Sequence, residues 1–272
     1  MIRVSGQSYN NGIKFIGEKY SVNFRDEHGK TTISVSQNVV TDTNKVMRFL
    51  GKLPIVRGFL NVICKNYFLL AIIIADVVMN LITIGEESTL SDKAVMLLGI
   101  LSLCTFITTV ALCLYMMSRI FMKMKNTWMY HGAEHMVIET NYKDKEINLE
   151  NCRNSPRVSD NCGTMLVSLM IFVGIVLNVL QIILKVQFWS SIELILMITI
   201  AYELFRMKRT NILLKPAFKL GYFLQEKLFT KEPNDHQLAQ AMLTFSILEG
   251  LETGELTVED VNEVLEEAKL AG

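Results

Sequence analysis

Apolar residues in this chain are gathered into four long blocks, with the charged residues between them. The first runs from Tyr67 to about Ile84 and holds one acid, Asp76, and one amide, Asn80. The second, from Ala94 to about Met122, is uncharged until Arg119. Met165–Leu184 is the third, and Trp189–Phe205, with Glu193 and Glu203 near its ends, is the fourth and least apolar. About 20 apolar residues at a rise of 1.5 Å cross the roughly 30 Å hydrocarbon core of a bilayer. Buried helices of a soluble bundle would keep a polar face at 3.6-residue spacing, and the first three blocks have none. The pattern predicts four transmembrane helices in a mainly α membrane protein.

Different patterns flank these blocks. In residues 1–45, Tyr20, Val22 and Phe24 alternate with polar neighbours, as do Ile33 and Val35, and Asp26-Glu27-His28-Gly29 separates the two runs. That spacing predicts a small β-hairpin unit with a loop of about four residues. Residues 46–65 mix apolar and basic side chains and suit a helix lying in the membrane interface, bent at Pro54 and Gly58. The four-span domain then covers 66–205, with a connection at 123–164, and 206–272 reads as helical. Within that last region Gln237–Leu251 is amphipathic, and Thr257-Val258-Glu259-Asp260 is a capping-box start for a further helix ending near Gly272.

Composition sharpens this picture in two ways. The 272 residues are 50% hydrophobic with a mean hydropathy of +0.31, too apolar for an ordinary cytosolic enzyme. Lys and Arg total 27 and Asp and Glu total 27, so no basic excess supports general nucleic-acid binding. The placement of charge says more than its balance. Lys52, Arg57 and Lys65 precede the first block, Arg119, Lys123 and Lys125 follow the second, and Arg206, Lys208 and Arg209 follow the fourth. The link between the first two blocks carries Glu86, Glu87 and Asp92 against Lys93. The positive-inside bias places the N-terminus, the 123–164 connection and the C-terminal region in the cytoplasm. Met1–Asn10 has no signal-peptide core, so the first span is expected to direct insertion. The five cysteines form no regular disulfide framework, in keeping with a reducing compartment. Glu249, Glu252, Glu255, Glu259, Asp260, Glu263, Glu266 and Glu267 make the C-terminal region acidic. Such a run ordinarily only solvates a helix face, and the alternative is a docking surface for a basic protein partner.

Two of the four histidines fall in Tyr130-His131-Gly132-Ala133-Glu134-His135, an H-x-x-E-H pattern. On a helix His131 and His135 share a face and can reach one ion, with Glu134 beside them to accept a proton from water. Inverted zinc peptidases use the same spacing. The bland reading is a juxtamembrane helix whose histidines satisfy backbone or lipid groups. A metal site needs a third donor, for which Cys162 is the best soft candidate and Cys152 and Asp160 are nearby alternatives. Arg153 and Arg157 suit either a phosphate or carboxylate ligand or lipid headgroups. Glu203, just inside the fourth block, and Asp76, at mid-span, are further suspects because acids in a membrane are costly. Asp76 could pair with Asn178 or Gln181 across helices, or line a polar path.

The order of motifs resembles the YqhQ-like family of bacterial multi-pass membrane proteins, described as predicted metal-dependent enzymes. The resemblance extends to about residue 250. It rests on Gly6-Gln7 with Gly12, the β-hairpin, Leu53-Pro54-Ile55-Val56-Arg57-Gly58, His131-Gly132-Ala133-Glu134-His135 and Arg157. It continues through Cys162-Gly163-Thr164, Tyr202-Glu203 with Arg206, Gln225 and Thr230-Lys231-Glu232-Pro233. The chain departs from the family pattern at Asn11, where a glutamate stands, near Ile16, where an arginine stands, and at Ser159-Asp160-Asn161, where His-Pro-Arg is usual. Either Asp160 replaces the missing histidine as a ligand, or the site is degenerate in a divergent paralogue.

The leading expectation is a protein of the bacterial inner membrane with a zinc site at its cytoplasmic face. His131 and His135 would hold the ion with Cys162 or Asp160, Glu134 would be the general base, and Arg157 would position an anionic substrate for hydrolysis. The rivals are a non-catalytic membrane scaffold or regulator and, motivated by Asp76 and Glu203, a transporter subunit.

Overall fold

A computed structural model describes residues 2–27, 30–38, 92–122, 124–186, 190–207 and 212–263, together with Ile74. The expected first span with Asp76, the interfacial helix at 46–65 and the chain beyond 263 lie outside the described residues. The elements are β1 (Ser5–Tyr9), β2 (Gly12–Ile16), β3 (Tyr20–Glu27), β4 (Lys30–Gln37), α1 (Asp92–Met122), α2 (Lys125–Tyr142) and α3 (Leu149–Arg153). They continue with α4 (Gly163–Leu184), α5 (Ser190–Arg206), a 3₁₀ turn (Ile212–Leu214), α6 (Lys215–Leu224), a π turn (Gln225–Phe229) and α7 (Asp235–Thr253). The chain divides into two units that are not consecutive in sequence. Met1–Thr41, Ser118–Cys162 and Tyr222–Gly272 form one, and Asp42–Met117 with Gly163–Gly221 forms the other.

The first unit is built on an antiparallel meander of order β1-β2-β3-β4. The expected hairpin is β3–β4, but its link is shorter than the four residues read from the sequence. Asp26 pairs with Thr31 and Glu27 with Lys30, so the two acids extend the ladder and only residues 28–29 lie between the strands. A second hairpin, β1–β2, closes over Asn10-Asn11 with Tyr9 opposite Gly12. One face of the sheet carries Ile13, Phe15, Val22 and Phe24, all buried, while Lys14 and Asn23 on the alternate positions are partly exposed. Helices α2 and α7 cover the apolar face, with Ala133, Met136 and Val137 from one and Leu238, Ala241, Phe245 and Leu248 from the other. Phe15 meets Phe245 edge to face at 5.6 Å between ring centroids.

Capping fixes the ends of α7. Gln237 N donates to Asn234 Oδ1 at 2.8 Å, and Asn234 N donates to Gln237 Oε1 at 3.2 Å, a complete capping box. Gly254 at φ 81° ends the helix in the left-handed conformation that glycine adopts without steric cost. The helical start read at Thr257 is also formed. Thr257 N donates to Asp260 Oδ2 at 2.7 Å, and Asp260 N donates to Thr257 Oγ1 at 3.2 Å.

In the second unit, α4 is 22 residues long with a mean hydropathy of 2.6 over its most apolar stretch. Among the described residues it is the one helix long and apolar enough to cross a membrane. Helix α1 covers the second apolar block as one continuous element of 31 residues, though its apolar stretch, Leu103–Cys113, is shorter. Helix α5, on the fourth block, has 17 residues and includes Glu193 and Glu203. Phe106 of α1 packs onto Gly174 of α4, where a Cβ would stand 2.4 Å from its ring. Asn178, considered above as a partner for Asp76, donates to Glu193 and to Gly174 O, and Asp76 itself lies outside the described residues.

Candidate metal centre

The centre lies within the first unit and begins with α2. The i, i+4 spacing stacks His131 and His135 on one face, with ring centroids 4.4 Å apart. A backbone carbonyl anchors each ring at Nδ1: Phe229 O lies 2.7 Å from His131 and Arg157 O lies 2.6 Å from His135. A carbonyl only accepts, so both Nδ1 atoms carry the proton, and both Nε2 atoms are left for the other side of the ring. Cys162 supplies Sγ at 3.7 Å from His131 Nε2. The three donor atoms all lie within 4.8 Å of one another. Zinc–nitrogen and zinc–sulfur bond lengths give tetrahedral edges of roughly 3.3–3.6 Å. The residues therefore fit a divalent ion after a contraction of about 1 Å at the widest separation. His135 is buried, while His131 and Cys162 are half-buried, so one side of the group is open.

The electrostatics suit the same role. Burial pushes the Cys162 thiol up, but hydrogen bonds from His131 and His135 and their charge outweigh it and bring the pKa down to about 5. Burial pushes His131 down, but the hydrogen bond to Cys162 and then the charge of Glu134 raise it to about 9. Without a metal the pair is a thiolate facing an imidazolium, and the thiolate is the form that ligates soft cations.

The other candidate residues take different places. Glu134 is buried and accepts a hydrogen bond from Ser8 Oγ at 2.6 Å. It packs over Gly6, where a Cβ would fall 2.3 Å from the carboxyl carbon. Its carboxylate faces β1 and is not one of the three clustered donors, although its charge reaches His131. Arg157 contributes its carbonyl to His135, and its Nε lies 3.1 Å from Glu232 Oε2. Arg153 pairs with Glu232 and Asp235. Asp160 accepts from Tyr222 and stands outside the donor group. Cys152 is fully buried in the core, where desolvation pushes its thiol up. Glu203 belongs to the second unit.

Several residues given no role by the sequence reading hold the centre together. The π turn Gln225–Phe229 presents the carbonyl that orients His131. Within it the Gln225 side chain clamps one backbone residue, taking a hydrogen bond from Ser159 N at 2.8 Å and donating to Ser159 O at 3.0 Å. Ser159 is three residues before Cys162, so this clamp fixes the loop that delivers the sulfur. Lys231 N donates to Trp128 O at 2.9 Å and draws the segment after the π turn against α2. Gly132 makes that approach possible, since a Cβ there would stand 2.1 Å from Lys231 O. Gln225 and Thr230-Lys231-Glu232-Pro233 were visible in the family resemblance, but nothing in their side chains announces a backbone carbonyl as the functional group.

Comparison with known proteins agrees with the resemblance. Residues 27–250 match the family DUF1385, described as a protein of unknown function. The uncharacterized protein YqhQ of Bacillus subtilis (strain 168) is 33% identical over 137 residues, 47% of this chain and 42% of that protein. The match thus spans less than half the length of this relative. No solved structure matches the chain. The matched region contains His131, His135, Cys162 and the Gln225–Phe229 turn, and the chain is a divergent member of the YqhQ-like DUF1385 family.

Proposed function

We propose that this chain is a multi-pass protein of the bacterial inner membrane that binds zinc at its cytoplasmic face through His131, His135 and Cys162 and uses the site for hydrolysis. The convergence of two carbonyl-anchored imidazoles and a low-pKa thiol carries the reading. Three protein donors also leave a fourth position for water or substrate, whereas structural zinc sites are closed by four. When bound, the ion supplies Lewis acidity toward water and a carbonyl or phosphoryl oxygen. Glu134, with Oε2 held by Ser8 and Oε1 packed against Gly6, would turn from β1 to hold a proton as the general base. Arg157 would direct its remaining N–H groups at an anionic substrate while Glu232 steadies its Nε. Membrane insertion is supported by α4 and by the outward apolar side chains of α1, including Leu97, Leu101, Leu112 and Met116. The charge bias of the flanks supports four spans with both termini in the cytoplasm.

A second reading is favoured by one observation: Glu134, Arg157 and Asp160 each have an intramolecular partner, in Ser8, Glu232 and Tyr222. In that reading the metal is structural and the protein is a membrane scaffold. Exposed Glu255, Glu259 and Glu263 would receive a basic partner, since Glu252 is already committed to Lys19 N and Tyr20 N. Cobalt substitution separates the two. A hydrolytic site shows a thiolate-to-cobalt band that shifts when azide or phosphate enters the open position. A band unmoved by either anion would support the scaffold, and no thiolate band in the full-length protein would remove both readings. For the topology, a reporter fused after Asn141 is expected to be cytoplasmic, and an external signal would contradict it.

A further inference from the structure

Between Glu203 and Glu226 the chain has no acidic residue and five basic ones: Arg206, Lys208, Arg209, Lys215 and Lys219. The described part of this stretch is two-faced. Leu214, Ala217, Phe218 and Leu224 are buried. Lys215, Lys219 and Phe223, spaced by four residues, form an exposed stripe along α6, with Pro216 exposed beside it. Just before the helix Ile212 and Leu213 are 70% and 71% exposed, and Phe223 is 56% exposed. Large apolar side chains interleaved with lysines do not form an ordinary solvated face, which would carry acids and small polar residues. Lysine stems can lie along apolar surface while the ammonium reaches outward, which suits the boundary between acyl chains and headgroups.

We infer that the segment from Ile212 to Phe223 lies on the bilayer surface and binds anionic phospholipid headgroups. Ile212, Leu213 and Phe223 insert among the upper acyl chains, and Lys215 and Lys219 meet the lipid phosphates. An acidic protein would satisfy the cations but not the three exposed apolar side chains among them. Continuity along the chain favours lipid as well, because Arg206 ends the apolar helix α5. The inference shares the membrane setting with the proposed function and is independent of the metal.

The test uses the full chain in vesicles of phosphatidylcholine with or without phosphatidylglycerol, one lipid at a time carrying brominated acyl chains. Leu213→Trp adds a reporter whose emission is read as the difference from the parent. Ile183→Trp, on an exposed position of α4, reports insertion, and Leu243→Trp, on an exposed position of α7 in the other unit, serves as a comparison. The expected result is at least a twofold loss of the Leu213→Trp signal with brominated phosphatidylglycerol and a much smaller loss with brominated phosphatidylcholine in the same mixed vesicles. Lys215→Glu with Lys219→Glu should abolish that difference, while an unchanged melting temperature confirms that the variant has folded. Equal quenching by both lipids, or no quenching at Leu213→Trp while Ile183→Trp is quenched, overturns the inference. If Ile183→Trp is also unquenched, the membrane reading itself fails, and the inference fails with it.

Discussion

Gly132→Ala is the perturbation whose sign discriminates most sharply. At an open position within a helix, replacing glycine by alanine stabilises by roughly 1 kcal/mol. At Gly132 the new methyl would stand 2.1 Å from Lys231 O, against an ordinary carbon–oxygen contact of roughly 3.3 Å. The segment holding Lys231 must therefore retreat by about 1 Å, and the obstacle is backbone, which cannot rotate aside as a flexible side chain can. Retreat strains the hydrogen bond from Lys231 N to Trp128 O, worth about 1 kcal/mol, on top of about 1–3 kcal/mol for overpacking. We expect a net destabilisation of about 1–3 kcal/mol. Phe229, whose carbonyl holds His131, is two residues before Lys231, so metal affinity should fall by about 10–100-fold, the usual cost of losing such an outer hydrogen bond. Thermal melting of the detergent-purified protein and chelator competition for zinc measure the two effects. Gly163→Ala, at an open helical position where nothing lies within 4 Å of the added Cβ, should leave affinity unchanged and hold or raise the melting temperature. A Gly132→Ala protein that melts at or above the parent temperature with unchanged affinity would refute the account of this approach.

Other expectations concern the same centre and the core behind it. Zinc binding should release one proton from the His131–Cys162 pair between about pH 5 and about 9, because the thiolate exists above the first value and the imidazolium below the second. Affinity should accordingly rise about tenfold per pH unit across that window, and calorimetry in buffers of different ionisation enthalpy would show no proton release if the pair is wrongly assigned. In the metal-free protein His131→Ala should slow alkylation of Cys162 at pH 6, read by peptide mapping, since the thiol loses its main hydrogen-bond partner; an unchanged rate would contradict this. Gln225→Leu removes both bonds to Ser159 and should cost about 1–3 kcal/mol, with weaker zinc binding through the displaced Cys162 loop. Phe15→Ala should cost about 3–5 kcal/mol by emptying the contact with Phe245, and a melting temperature near the parent value would mean that the sheet and α7 do not share a core.

What the sequence made legible follows from which interactions are local. H-x-x-E-H fixes two imidazoles on one helical face, and the order of Cys162 just before an apolar helix brought it forward as the third donor. Alternation at Tyr20–Phe24 and Ile33–Val35 marked β3 and β4, and Thr257 with Asp260 marked a helix start three residues apart. The β1–β2 hairpin escaped because Ser5-Gly6-Gln7-Ser8 has no apolar alternation, although Asn10-Asn11-Gly12 is a turn signal that could have found it. Long-range pairing was also invisible. Arg157 meets Glu232, and Asp160 meets Tyr222, across separations that no spacing rule connects. The carbonyls of Phe229 and Arg157 carry no side-chain signature, so the anchors that select the histidine tautomers appear only once the fold is known. Glu134 illustrates the remaining gap, because its place beside His135 in the sequence leaves its direction open, while packing against Gly6 and Ser8 sets its carboxylate toward β1.

The central claim is a metal ion shared by His131, His135 and Cys162. Its most direct test is the metal content of the full chain purified in detergent without chelator, set beside His131→Ala, His135→Ala and Cys162→Ala. The account predicts about one zinc per chain in the parent, the count set by the one three-donor group among the described residues, and loss of that ion in each variant. A parent without stoichiometric metal would contradict the metal centre itself, and variants that all retain the ion would contradict its assignment to these three residues.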